Sequence, residues 1–482
     1  MAVAACALVW TVLPTILLSA PHGDNVEQLN WSHSLQWGYS KHPPLPTWLL
    51  RGGIELFGPS AALTYALAMA CVALALILVW CSARLVLEPE LALIALLLST
   101  ANYYLMGRGS FLNHNTVMLP FVALSAWAVL RIVRGGSWTM WLVLGLAQGL
   151  GLLTKYQMAL IVITNAAALL AGGAHRQPRF ARGAALASAT TLLPLVPHAI
   201  WLANHQFSSF EYASHSLLAA LGPAERLRSS VGFLVQQIAR LAPTLLALGL
   251  ALLLGSPHPR PAAARASPPV PVDLHTMRAL GTLALLPLAG IVVLTLAFGV
   301  APQNHWGTTS TLLIPLLAVS ALRATRRLSI APVAWATLAA HLGAVIWNVA
   351  VWLYHPGPHH TFAARALASL AQEHWARHQS GPLRLVLGPD WEAGSIALYL
   401  PGQPAVIPNA DARQAPWVEP DLIARCGALL LARAGEPLEK GLSAGPAAGV
   451  TDRTILVTRD RRGHESSIQA ALIGAAPGLS CP

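Results

Sequence analysis

Charge is scarce in this chain. Only 10 % of its 482 residues are Asp, Glu, Lys or Arg, whereas 55 % are hydrophobic. A soluble domain usually carries about a quarter charged residues, so a soluble-core reading fails. Lysine is scarcer still, with three (Lys41, Lys155 and Lys440) beside 27 arginines. The opening stretch, 1–20, lacks both the basic start and the small-residue cleavage site of a signal peptide. It reads as a retained first span. No internal repeat is visible, and repeats are what a transporter built of paired halves would show.

What is present is apolar sequence in runs of membrane-spanning length. The pattern predicts a polytopic α-helical membrane protein with about eleven spans: 1–20, 60–82, 90–106, 115–132, 138–154, 157–173, 184–203, 234–255, 279–299, 308–322 and 330–353. The net charge of +11 is no sign of nucleic-acid binding, because the arginines fall mostly in short loops between these runs. Every second loop is basic: Arg84; Arg131 and Arg134; Arg176, Arg179 and Arg182; Arg260 and Arg265; Arg323, Arg326 and Arg327. The positive-inside rule puts those loops in the cytoplasm and the alternate loops, with the C-terminus, on the periplasmic side of a bacterial inner membrane. Residues 257–271, rich in proline and alanine, read as a cytoplasmic linker.

From about Phe362 the apolar runs shorten to strand length at 383–387, 428–431 and 455–457. A transmembrane domain over 1–355, with juxtamembrane helices at about 21–58, and a small extracytoplasmic α/β domain over 356–482 fit the change. Cys6, Cys71 and Cys81 lie in spans and read as packing residues. Cys426 and Cys481 are the one pair in the outward domain, and a disulfide or two separate thiols are both open.

The first outward loop, 23–50, concentrates the chemistry. A helix over 24–38 along the membrane surface puts Asp24 and Glu27 on one face, with Trp31 continuing it. Trp31, Trp37, Tyr39 and Trp48 suit the headgroup layer, and Pro43 and Pro44 stiffen the turn that holds Lys41 and His42. Ionisable groups beside hydrocarbon are costly unless they work or are paired. Carboxylates next to fixed cations at that depth suit chemistry on a lipid phosphate ester. The bland alternatives are a helix N-cap for Asp24, a salt bridge from Glu27 to Lys41, snorkelling for Lys155 and interface anchoring for Arg108, His305 and Trp306. The histidines within 355–360 match no zinc spacing.

Asp24, Trp31, Gly38, Tyr39, His42, Pro43, Pro44 and Leu45 resemble, with matching spacing, the first-loop signature of GT-C glycosyltransferases. That superfamily includes protein O-mannosyltransferases and lipid A aminoarabinose transferases (families 39 and 83). Gly151-Leu-Leu-Thr-Lys155-Tyr156, His305-Trp306 and Leu398-Tyr-Leu-Pro-Gly-Gln403-Pro404 add to the likeness, which covers nearly the whole chain. It implies a GT-C fold and transfer of a sugar from a polyprenyl-phosphate donor to a glycan, lipid or protein acceptor. Asp24 would be the base that takes the acceptor proton, with Glu27 as second carboxylate. Lys41, His42, Tyr39, Arg108, Lys155, Tyr156 and His305 would bind the donor, stabilising the departing phosphate. One well-placed carboxylate favours inversion over a double displacement. Two departures stand out: Asn25 replaces a common glutamate, and Asn115 an aspartate of many relatives. No cofactor is implied with certainty. A divalent metal is left open, with His114 as a replacement ligand. A transporter or flippase for lipid-linked sugars, or a non-catalytic protein that binds them, are the alternatives.

Overall fold

The computed structural model describes residues 1–217, 221–254, 273–323, 328–419, 421–438, 450–460, 462–476 and 478–481. The expected linker at 257–271, with Arg260 and Arg265, and also Arg326, Arg327 and Lys440, lie outside the described residues.

In chain order the helices are α1 (Ala2–Leu17), α2 (Gly23–Trp31), α3 (Leu45–Phe57), α4 (Ala61–Val86), α5 (Pro89–Thr100), α6 (His114–Val133), α7 (Trp138–Leu152), α8 (Met158–Ala171), α9 (Phe180–Leu192), α10 (Val196–Asn204), α11 (Ser208–Leu217), α12 (Pro223–Leu253), α13 (Leu274–Phe298), α14 (Gly307–Ser310), α15 (Ile314–Leu322), α16 (Ile330–Tyr354), α17 (Pro358–Thr361), α18 (Ala364–His378), α19 (Asp390–Ala397) and α20 (Leu422–Cys426). The strands are β1 (Leu385–Gly388), β2 (Ala405–Pro408), β3 (Ala428–Arg433), β4 (Val450–Arg459) and β5 (Glu465–Ile473).

Among the described residues six helical stretches are long and apolar enough to cross a membrane: α4, α6, α9 continued by α10, α12, α13 and α16. The helices α1, α5, α7 and α8 are apolar but shorter. Only 11 % of the apolar window of α16 is buried, and Trp335, Leu342 and Ile346 stand on its exposed surface, as lipid-facing residues would.

Departures from the expected spans have local causes. Pro194 and Pro197 interrupt 184–203, which becomes α9, a 3-10 turn and α10. The expected span at 308–322 is two short helices, α14 and α15, with Pro315 opening the second. Helix α12 begins at Pro223, well before the expected 234, and carries Arg240 near its middle. The surface helix expected over 24–38 stops at Trp31; 32–44 has no regular structure before α3.

The chain forms two compact units. The first comprises Met1–Thr11, Lys41–Leu45 and Ala68–Ile346; the second comprises Val12–Ser40, Pro46–Leu67 and Trp347–Pro482. In the first unit, α7 lies close against α9 at Gly145 and Gly149. A Cβ on Gly145 would come within 2.4 Å of the Ala187 carbonyl oxygen, and one on Gly149 within 2.7 Å of that of Thr191. Small residues four apart permit such approach where no hydrophobic force joins helices. Two basic loops of this unit meet the end of α4: Arg134 Nη1 donates to the Leu85 carbonyl (2.6 Å) and Arg323 Nη1 to that of Val86 (2.7 Å). Both satisfy carbonyls orphaned at the C-terminus of α4.

In the second unit a five-stranded sheet has the order β2-β1-β3-β5-β4. Strand β1 pairs parallel with β2 and β3, and β5 pairs antiparallel with β3 and β4. The short expected strands at 383–387, 428–431 and 455–457 overlap β1, β3 and β4; β2 and β5 were not foreseen. One face is covered by α18 and α19 through Leu367, Trp375, Ala393 and Ile396. Cys426 and Cys481 form a disulfide with Cα atoms 4.7 Å apart; among the described residues Cys6, Cys71 and Cys81 are free.

Helix α2 belongs to this unit and lies on α19. Asn30 Nδ2 donates to Asp390 Oδ1 (2.8 Å), and Asn25 Nδ2 donates to Thr64 Oγ1 (2.8 Å). Before α2, the Ser19 and Ala20 amides donate to the His359 carbonyl (2.9 and 3.1 Å) and Trp391 Nε1 to that of Pro21 (2.7 Å). The histidines at 359 and 360 therefore close a backbone knot.

Candidate active site

In the second unit, Asp24 and Glu27 stand one turn apart on α2, both half-buried. The N-cap is His22, without a side-chain cap bond, so the capping alternative for Asp24 does not hold. Its place in the first turn still favours a carboxylate, which faces the positive end of the helix dipole. Trp31 and Tyr39, expected among lipid headgroups, are instead stacked on each other, centroids 4.9 Å apart and nearly parallel. Tyr39 has no exposed surface. Its hydroxyl donates to the Ser34 carbonyl (2.6 Å) and burial pushes its pKa up to about 12. It is a packed ring in the loop wall, and its expected donor-binding role stays a proposal.

The first unit gathers most of the remaining predicted residues. The α7–α8 turn presents Lys155, whose Nζ donates to Asn115 Oδ1 (2.8 Å). Asn115 is placed by Asn113, the N-cap of α6, whose side chain accepts from the Asn115 and Thr116 amides (3.0 Å each). The Leu45 amide donates to the Leu153 carbonyl (2.9 Å), pinning the 41–45 loop beside that turn. The His42 ring lies 4.0 Å from that of His114, and Lys41 Nζ stands 5.9 Å from the Tyr212 ring centroid. Crowded surroundings and the charges of Lys155, Lys41 and His305 hold His42 well below the ordinary histidine range, so it is neutral at pH 7.

His305 sits in the 3-10 turn before α14. Burial, then Lys155, Arg108 and Arg240, lower its pKa to about 3. Arg108 lies over the Phe111 ring at 4.3 Å. Tyr156 is stacked on Phe210 (4.7 Å), and its hydroxyl meets His198 Nε2 (3.0 Å) and Ser209 Oγ (2.8 Å).

Sequence reasoning missed a second set. Arg240 Nε donates to the Tyr104 hydroxyl (2.9 Å), which lies within reach of Gln237 Oε1 (3.0 Å) and the Asn304 carbonyl. Gly307 makes room: a Cβ there would fall 1.7 Å from Gln237 Oε1. The available signal was an arginine inside an apolar run, which is rarely idle.

The arrangement is a group of cations (Lys41, Arg108, Lys155, Arg240) with neutral imidazoles among them, suited to an anionic oxygen ligand such as phosphate. Among the described residues no three His, Cys, Asp or Glu side chains are grouped to hold a metal ion. His114, left open as a metal ligand, lies in no such group there, and no step is routed through a metal.

Residues 41–201 match the family model of dolichyl-phosphate-mannose-protein mannosyltransferases. The chain is similar to two proteins of Rhizobium johnstonii. One is the lipopolysaccharide core galacturonosyltransferase RgtA (25 % identity, 48 % of this chain, 47 % of that one). The other is the galacturonosyltransferase RgtB (24 %, 86 % and 83 %). The matched part thus spans about half of RgtA and most of RgtB. Among solved structures, ArnT from Cupriavidus metallidurans bound to undecaprenyl phosphate shares the fold, with a TM-score of 0.65 at 15 % identity over 100 % of this chain and 98 % of that one. In sequence the chain is thus similar to glycosyltransferases over the matched segments, and it shares its fold with the ArnT structure.

Proposed function

We propose that the chain transfers a sugar from a polyprenyl-phosphate donor to an acceptor of the bacterial envelope, a lipid A or other glycan, on the periplasmic side of the inner membrane. The observation that carries this is the convergence of Lys155, Lys41, Arg108 and Arg240 in one unit around neutral His42 and His305. The ArnT structure with undecaprenyl phosphate supports the donor class, and the relatives named for lipopolysaccharide core transfer support the acceptor class.

In the proposed reaction an acceptor hydroxyl gives its proton to the Asp24 carboxylate as its oxygen forms a bond to the anomeric carbon. The bond from that carbon to the phosphate oxygen breaks, and the electron pair leaves with polyprenyl phosphate. That leaving group needs charge stabilisation more than protonation. Lysine ammoniums supply compact charge, and Arg108 and Arg240 supply planar donors. A single displacement inverts the anomeric centre. Glu27 is a second carboxylate on the same face of α2, and Tyr156, locked between His198 and Ser209, steadies the Lys155 turn.

Purified protein given radiolabelled polyprenyl-phosphate sugars and glycan acceptors tests this, with Asp24→Asn as comparison. Transfer by the wild type that falls at least a hundredfold in Asp24→Asn is expected. Undiminished transfer in the variant would sink the base assignment. Movement of lipid across liposomes without transfer would replace the enzyme reading by the flippase one.

A further inference from the structure

The second unit holds a cavity that the reaction above does not use. It is partly open, has a volume of about 160 Å³, and is bordered by the end of α2, by α3 and by the turn after α19. Arg51, Asn30, His33 and Gln403 supply its polar wall, and Leu398 and Ile54 its apolar one. The turn is the Leu-Tyr-Leu-Pro-Gly-Gln stretch singled out in the sequence. Gly402 and Gln403 there both take left-handed backbone conformations (φ +71° and +47°). That conformation is ordinary for glycine and strained for glutamine, and here the strained residue borders the cavity. Strain of this kind gathers at ligand clamps.

Arg51 is the one charged residue among those bordering the cavity. Its Nη1 donates to the Ser32 carbonyl (3.1 Å), which fixes the guanidinium, and its Nε donates to Glu55 Oε1 (2.7 Å). The Glu55 side chain is 61 % exposed. An ion pair that open to water is weak, so another anion can exchange with Glu55 while Ser32 keeps the guanidinium aimed. Guanidinium favours carboxylate or phosphate in a two-pronged contact. The amide of Gln403 can donate and accept, matching sugar hydroxyls, and Leu398 and Ile54 offer a surface for the C–H face of a ring. At roughly 30 Å³ per water the space equals about five waters, too little for a lipid chain or an extended glycan.

We infer that this cavity binds one anionic sugar residue, bearing a carboxylate or a phosphate, of the acceptor glycan. Only the word acceptor rests on the transferase reading; the binding does not.

Full-length protein in detergent, without donor lipid, is titrated with glucuronate, glucose 6-phosphate and methyl glucoside by calorimetry or ligand-observed NMR. Both anionic sugars should bind at least tenfold more tightly than the neutral one. Arg51→Gln should abolish that preference, and Glu55→Gln should tighten anionic binding severalfold by removing the competitor. In a Lys155→Gln background the loss of preference on Arg51→Gln should persist; if Arg51→Gln changes nothing there, the anion sits on the lysine and the inference is overturned. Equal binding of neutral and anionic sugars, or an unaltered preference in Arg51→Gln, would also overturn it. Since Arg51→Gln could disturb folding, the gain in Glu55→Gln is a check that instability cannot imitate. Anionic binding that follows these variants while no variant transfers sugar would retire the transferase reading and keep the cavity.

Discussion

Gly394 lies where α19 meets α2, and replacing it with alanine tests how the Asp24 helix is held. A Cβ there would stand 2.4 Å from Val26 Cγ1 and 2.5 Å from Asn30 Oδ1. Carbon atoms settle at about 3.5–4.0 Å, so the helices must part by about 1 Å or the two side chains must turn. Val26 is fully buried and Asn30 is tied to Asp390, so neither yields easily. Overpacking costs about 1–3 kcal/mol, and losing the Asn30–Asp390 bond adds about 1 kcal/mol. Gly394→Ala should therefore lose about 2–4 kcal/mol, read as a fall in the thermal unfolding midpoint followed by tryptophan fluorescence. The decisive assay is a double-mutant cycle. Val26→Ala removes the clashing methyl, so the pair should be more stable than the sum of the single effects by more than about 1 kcal/mol. Because Asp24 lies on α2 two residues before Val26, transfer should fall in Gly394→Ala and recover in part in the double variant, where the contact with Asn30 remains. Additive stabilities, or a Gly394→Ala protein as stable as the wild type, would refute the argument.

Three further outcomes follow. The folded pKa of His305 is about 3 against 6.5 for the free group, so the folded state resists a proton that the unfolded chain accepts; its stabilisation is complete above pH 6.5 and is lost as pH falls towards 3. At about 1.4 kcal/mol per unit, reduced for partial exposure, the loss is a few kcal/mol, and the acid slope of the melting temperature should be shallower in His305→Gln. Lys155→Gln keeps a donor for Asn115 and removes the charge, so the donor KM should rise roughly ten- to a hundredfold, the worth of a charged hydrogen bond, with the melting point little changed. Reduction of the Cys426–Cys481 bridge, which spans 55 residues, should destabilise the sheet unit by up to about 4 kcal/mol on a loop-entropy estimate, and the Cys426→Ala, Cys481→Ala protein should melt like the reduced one.

Features governed by near neighbours in sequence could be read before the structure. Apolar runs marked the helices, and short runs marked β1, β3 and β4. Of the arginines that predict orientation, Arg134 and Arg323 are bonded to the end of α4, where Arg84 also lies. Features governed by distant contacts could not be read. The i,i+3 pattern extended the first-loop helix to residue 38, whereas the chain leaves it after Trp31 because Tyr39 folds back onto that ring. Nothing local says that Gly394 is the seat of α2, more than 360 residues earlier, or that Gln237 needs the space at Gly307. Arg240 lay within the expected span 234–255, but its partner Tyr104 and the Asn304 carbonyl that Tyr104 meets are distant in sequence, so nothing local assigned it a role.

The departures at Asn25 and Asn115 look different once their partners are known. Asn25 spends its amide on Thr64 and so fastens α2, a task for which a longer acidic chain is unsuited because it cannot donate. Asn115 accepts from Lys155. An aspartate there would also fix the ammonium, but as an ion pair it would cancel much of the charge that a phosphate needs. Two further cations have neutral neighbours of this kind: Arg240 has the Tyr104 hydroxyl and Arg108 the Phe111 ring. A neutral partner orients a cation without neutralising it. Burial, and then these charges, depress the basicity of His42 and His305, so the two imidazoles add no charge of their own at neutral pH. In that light the asparagine at 115 holds the geometry an aspartate would hold without adding a negative charge of its own beside Lys155.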